Sequence, residues 1–127
     1  MGRGGGVNPI TTPDGIAAEL QRRLSPDNRG KNGNGEHRYM WPIPRIECAD
    51  GFSVSIQAKA TDYCLPRDDS GPWHAVECGL PSAPMPELAQ WAEYEKPTAT
   101  VWGFVPLKNI IAVLTAHGGV VASEFVA

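Results

Sequence analysis

The stretch "RIECADGFSVSIQA", which begins at Arg45, limits what this chain can fold into more than any other. Its apolar residues alternate on both sides of an Asp50-Gly51 pair. Ile46 and Cys48 share one face of the first arm, and Phe52, Val54 and Ile56 share one face of the second. A period of two is the signature of a half-buried strand, and Asp-Gly supplies the positive φ angles of a tight turn. The segment therefore predicts a β-hairpin with one apolar face, which needs more strands and a cover before it is stable.

The residues that follow supply both. "WHAVECGL" alternates and predicts a third strand, "TATVWGFV" is β-branched and aromatic and predicts a fourth, and "VVASEFV" predicts a last one. Between them, "PELAQWAEYE" predicts a short helix opened by Pro86, with Leu88, Trp91 and Ala92 on one side. "PLKNIIAVLTAHGG" predicts a second. Pro106 opens it, Leu107, Ile110, Ile111 and Leu114 line one face, His117 falls in the last turn, and Gly118-Gly119 end it. Three consecutive strands followed by helical cover indicate an α+β fold. The expected architecture is a small antiparallel or mixed sheet of four to five strands with two helices on one face. Open edges of such a sheet invite pairing, so a homodimer is the expected homo-oligomer.

Ahead of this body the chain changes character. Residues 1–10 are glycine-rich, and "SPDNRGKNGNGEHR" (residues 25–38) has no apolar anchor and reads as a linker. Between them "TTPDGIAAELQRRL" predicts a helix over residues 13–24, capped by Thr12, with Ile16, Leu20 and Leu24 on one face. The expected division is a flexible arm over residues 1–38 carrying one short helix, and a compact domain over residues 39–127. Glycine (14) and proline (12) make up about a fifth of the 127 residues, so turns and loops take a large share.

Charge follows the same division. Residues 1–45 hold seven Lys/Arg against four Asp/Glu, whereas residues 46–127 hold four against ten. An acidic body argues against binding long nucleic acid. The apolar runs are too short to span a membrane, and the N-terminus lacks the apolar core of a signal peptide. A cytoplasmic protein is expected. An odd number of cysteines without an export signal predicts reduced thiols rather than a disulfide framework.

Chemistry concentrates in "YCLPRDDSGPWH", residues 63–74. Cys48, Cys64, His74 and Cys78 are the right residue types for a tetrahedral zinc site, but no C-x2-C knuckle holds two of them at one corner. His74 and Cys78 on one strand would stand roughly 13 Å apart, too far for one metal. A Cys64–His74 pair has the composition of a small cysteine-dependent enzyme, yet Asp62, Asp68 and Asp69 beside it would suppress the thiolate. The expectation is no catalytic set, no metal and no cofactor. Asp68 and Asp69 before Ser-Gly-Pro read as turn residues bonding their own backbone. Arg67 is the candidate binder. With Tyr63 and Trp73 in the same loop and Arg45 and Trp102 on neighbouring strands, it can offer stacking faces and a bidentate cation to a ligand. The competing expectation is that Arg67 bridges Asp62, Asp68 or Asp69 and only braces the loop.

The block "RIECADGFSVSIQA … YCLPRDD.GPW … VECGLPS … TATVWGFVPL … HGG", residues 45–119, resembles a group of small accessory proteins encoded in tailed-bacteriophage genomes. The group has no assigned catalytic residues, so no role is carried to any position here. The resemblance implies a protein acting in the host bacterial cytoplasm. It further implies work by binding: blocking a host defence protein or sequestering a signalling nucleotide.

Overall fold

The computed structural model describes residues 8–25, 42–94 and 98–122. Four strands form one antiparallel sheet in the order β1 (Ile46–Glu47), β2 (Ser53–Gln57), β3 (Ala75–Gly79), β4 (Val101–Pro106). The predicted hairpin opens it, with Ile46 opposite Val54 and Glu47 opposite Ser53. Gly51 turns the chain at φ +96°, and Cys48 donates its N–H to the Phe52 carbonyl. Ile46, Cys48, Phe52, Val54 and Ile56 are all buried, as the alternation requires. Across the sheet Ile56 faces Cys78, and Cys78 faces Trp102, which continues one apolar face through three strands.

Two helices are part of the core that covers this face. Helix α2 (Leu107–Ala116) buries Ile110, Ile111, Val113 and Leu114. Helix α1 (Pro13–Leu24) packs against α2. Thr12 accepts the Gly15 N–H on its hydroxyl, Pro13 occupies the first turn, and Ile16, Leu20 and Leu24 are fully buried in the common core. The helix expected on a flexible arm is thus a structural member of the body, because its apolar stripe has no other means of leaving water. Arg23 bonds the Val121 carbonyl and, with Arg22, pairs with Glu19. The linker expected over residues 25–38 lies, apart from Ser25, outside the described residues.

One other element differs from expectation, and the strand expected over "VVASEFV" lies, apart from residues 120–122, outside the described residues. Residues 86–91 form a 3-10 helix (Pro86–Trp91) rather than an α-helix, with Leu88 at φ −108° breaking its regularity and alone fully buried. One apolar anchor does not hold a longer amphipathic helix in place. At the C-terminal end, Val120 bridges both Ile10 and Cys48, and Val121 donates to the Glu47 carbonyl, while residues 123–127 lie outside the described ones. These contacts cover the outer edge of β1. The outer edge of β4 is covered by an Ala92–Trp102 bridge, by Glu93 donating to Val101, and by Phe104 donating to Tyr63. The chain's own segments thus pair with part of each sheet edge.

The hairpin tip is docked on the end of α2. Asp50 and Ala49 donate their N–H groups to the carbonyls of His117 and Gly119, which satisfies acceptors that a helix end leaves open. Asp50 accepts from Phe52 N–H on one oxygen and from His117 Nδ1, 2.7 Å away, on the other. The His117 ring stacks on Phe52 with centroids 4.0 Å apart. The Phe52 N–H and then His117 hold the Asp50 carboxyl below its ordinary range. A depressed carboxyl contributes stability that is present above the unfolded value, about 4, and is lost as pH falls through the folded value. Asp50→Asn is expected to be less stable than the parent near pH 6, with the gap closing below about pH 4. Urea unfolding at both pH values checks this, and a gap that does not change with pH counts against it.

Candidate functional site

Residues 63–74 leave β2 and return to β3 as a braced loop. Leu65 exchanges backbone hydrogen bonds with the start of β3, donating to Ala75 while its carbonyl accepts from His74. Tyr63 donates its N–H to Glu77 Oε1 and accepts the Phe104 N–H. The peptide bonds before Pro66 and Pro72 are cis. Short strand-like pairing gives this segment alternation of its own: Cys64 is fully buried, while Tyr63 and Leu65 are 44% and 41% exposed. Arg67 is exposed on the same chain segment.

The far end of the loop is anchored by Trp73, which is 2% exposed. Gln21 of α1 clamps its backbone from both sides: Nε2 donates to the Trp73 carbonyl at 2.6 Å, and Oε1 accepts the Trp73 N–H at 3.1 Å. The indole N–H donates to the Asp68 carbonyl. Trp73 is thus a core and anchoring residue, not a ligand platform. Trp102, 3% exposed and opposite Cys78 in the sheet, is likewise core. Arg45 bonds Ser53 and the Leu80 carbonyl, and so braces the other end of β3. Of the five expected binding residues, only Tyr63 and Arg67 come together.

Their juxtaposition has a clear cause. Asp62 pairs with Lys59 at 3.0 Å, with both side chains largely buried. Asp68 accepts the N–H groups of Ser70 and Gly71 on its carboxylate, and the Gly71 and Ser70 bonds pull its carboxyl below the usual range. Asp69 accepts from Ala60 N–H. The three aspartates are turned into the loop's own framework, and Arg67 bridges none of them. Instead its guanidinium lies over the Tyr63 ring, 5.7 Å from the centroid. The expectation that Arg67 only braces the loop gives way to a cation that has no carboxylate partner among the described residues.

A residue not singled out from the sequence completes the group. Phe104 stacks on Tyr63 with ring centroids 5.7 Å apart, and it is 39% exposed. In a regular strand it would point to the same side as Trp102. A bulge opposite β3, where Val76 faces Val105 and Cys78 faces Trp102, inserts an extra residue and turns Phe104 outward. Phe104 then sits at φ +55°, in the left-handed region that a bulky side chain seldom adopts. The glycine beside it is used otherwise. A Cβ at Gly103 would stand 3.2 Å from Tyr63 Cβ, so Gly103 lets Tyr63 close onto the strand. A glycine within "VWGFV", next to an aromatic, is the signal from which this bulge was readable.

The cysteines do not form a site. Cys48 Sγ is near the Leu114 carbonyl, Cys64 Sγ donates toward the carbonyls of Lys59 and Pro66, and Cys78 lies fully buried in β3. Burial raises all three thiols, Cys48 to about 11. His74 is exposed, apart from the interior that holds these sulfurs. Among the described residues no three His, Cys, Asp or Glu side chains are grouped to hold a metal ion. Tyr63, Phe104 and Arg67 can instead offer two stacked rings and a guanidinium to a partner, with Leu65 exposed two residues along the chain from Tyr63. No family model, curated protein or solved structure matches this chain.

Two substitutions separate framework from surface. Gln21→Ala leaves the buried backbone groups of Trp73 unpaired, and is expected to cost about 1–3 kcal/mol. Denaturant unfolding measures the loss, and faster amide exchange at Trp73 locates it; unchanged protection there would contradict the clamp. Phe104→Gly relieves left-handed strain of about 1–2 kcal/mol. It also gives up a ring pair of about 0.5–1.5 kcal/mol and adds about 0.5–1 kcal/mol of chain freedom. Its stability is expected to stay within about 1 kcal/mol of the parent, whereas Trp102→Ala is expected to cost about 3–5 kcal/mol.

Proposed function

We propose that the protein works by binding rather than by catalysis, through the exposed ridge of Tyr63, Leu65, Arg67 and Phe104. The observation that carries this reading is the exposed Tyr63–Phe104 pair beneath a guanidinium that no carboxylate among the described residues engages. Aromatic residues and arginine dominate the energetics of protein interfaces, and a solvent-facing cluster of them is costly to keep without a use. Strain at Phe104 supports the same reading, because bulky residues held in the left-handed region cluster at ligand and partner sites. In the setting implied by the phage resemblance, the bound component is a host defence protein and the effect is to block it.

Sequestration of a nucleotide signal is the second reading. It is favoured by the stack of Arg67 on Tyr63, since a ring and a guanidinium together can hold a base and a phosphate. The two readings separate in one set of experiments. Affinity purification from bacterial lysate with the parent chain is expected to retain a protein that Arg67→Glu and Phe104→Gly both release. A thermal-shift series with cyclic nucleotides and ADP-ribose derivatives tests the second reading, because a ligand at 100-fold over its Kd stabilises by about 2.7 kcal/mol. If both variants retain every protein that the parent retains and no nucleotide shifts the melting temperature, the ridge is not the recognition surface.

A further inference from the structure

Resting on that surface, we infer the chemistry of its partner: a protein segment that presents a carboxylate side chain beside an aliphatic or aromatic one. The apolar side chain covers Tyr63, Leu65 and Phe104, and the carboxylate takes the Arg67 guanidinium in a two-pronged hydrogen bond. Three observations lead to this assignment. The first is the commitment of every nearby acid of the loop to another group: Asp62 to Lys59, Asp68 to Ser70 and Gly71, Asp69 to Ala60. Arg67 is consequently held in place by its ring contact, while its hydrogen-bonding capacity toward an anion is unused by these aspartates.

The second is the state of the main chain. Tyr63 N–H and C=O, Leu65 N–H and C=O, and Phe104 N–H are all bonded within the fold. An added strand would find these groups already paired, which favours recognition by side chains. The third is the charge next to the rings. Glu93 Oε2 lies 3.6 Å from where a Gly103 Cβ would be, beside Tyr63, and no cation among the described residues pairs with it. The rings are therefore flanked by the Arg67 guanidinium, over Tyr63, and by the Glu93 carboxylate, beside Gly103. A partner acid is attracted to Arg67, and one placed against Glu93 is repelled.

The test is selection of short random peptides displayed on yeast against the full chain, in parallel with Arg67→Glu and Phe104→Gly. Two-dimensional amide spectra of each variant verify folding before selection. The parent is expected to enrich peptides that place Asp or Glu next to Leu, Phe or Trp, and to shift the Tyr63, Arg67 and Phe104 resonances when one is added. These peptides are expected to bind Arg67→Glu about tenfold more weakly or worse, and selection on that variant is expected to turn toward Lys and Arg. Peptides that shift the same resonances without any acidic preference overturn the charge assignment and leave the binding surface standing. Failure to enrich any peptide whose binding Phe104→Gly removes overturns both. Equal shifts of these resonances by ADP-ribose or a cyclic dinucleotide, with no acidic peptide enriched, assign the surface to a phosphate ligand and overturn the protein version.

Discussion

One face of the four-stranded sheet has to be kept from water, and the remaining architecture follows from how that is done. Val54, Ile56, Val76, Cys78, Trp102 and Val105 are all buried. At about 25 cal/mol for each square ångström of apolar surface removed from water, a layer of this kind outweighs any single polar contact in the molecule. Helix α2 alone does not close it. Helix α1 is drawn in from the far end of the sequence, and the fully buried Ile16, Leu20 and Leu24 record the result. Once α1 is docked, its polar side meets the loop that joins β2 to β3, and Gln21 finds Trp73. Core closure and loop placement are thus consequences of the same packing event.

The elements legible in the sequence were those whose local pattern and tertiary environment agree. The Asp50-Gly51 hairpin, β3 and α2 each carry a period that matches the face they bury, and β4 was marked by its β-branched and aromatic composition. Helix α1 was legible as a helix but not as part of the core, because the stretch after it has no periodicity to show that the chain doubles back. The 3-10 helix is the opposite case: Leu88, Trp91 and Ala92 suggested a face, but only Leu88 is fully enclosed. Edge coverage was not legible at all. It depends on isolated bridges such as Ala92–Trp102 and Cys48–Val120, which leave no repeating pattern.

The site was half legible. Residue types alone marked Tyr63 and Arg67, and they also marked Trp73 and Trp102, since a tryptophan in a loop or strand looks the same whether it faces a ligand or the core. What separates them is burial: 2–3% exposure for the tryptophans against 44% for Tyr63. The fate of Arg67 turned on three aspartates whose nearer partners are backbone N–H groups and a lysine. Phe104 escaped because strict alternation assigns it inward, and only the bulge beside Gly103 reverses that.

The Gln21 clamp has a consequence for energetics across the molecule. It joins a helix near the start of the chain to the loop that carries Tyr63 and Arg67, with no other side chain between. Two equilibria that share a contact of this kind are thermodynamically linked: whatever free energy helix docking lends to an ordered loop, an ordered loop returns to the docked helix. Whatever orders or loosens the loop is then registered at α1, some fifty residues away in sequence. The helix expected on an arm is, in these terms, the second terminal of the loop that joins β2 to β3.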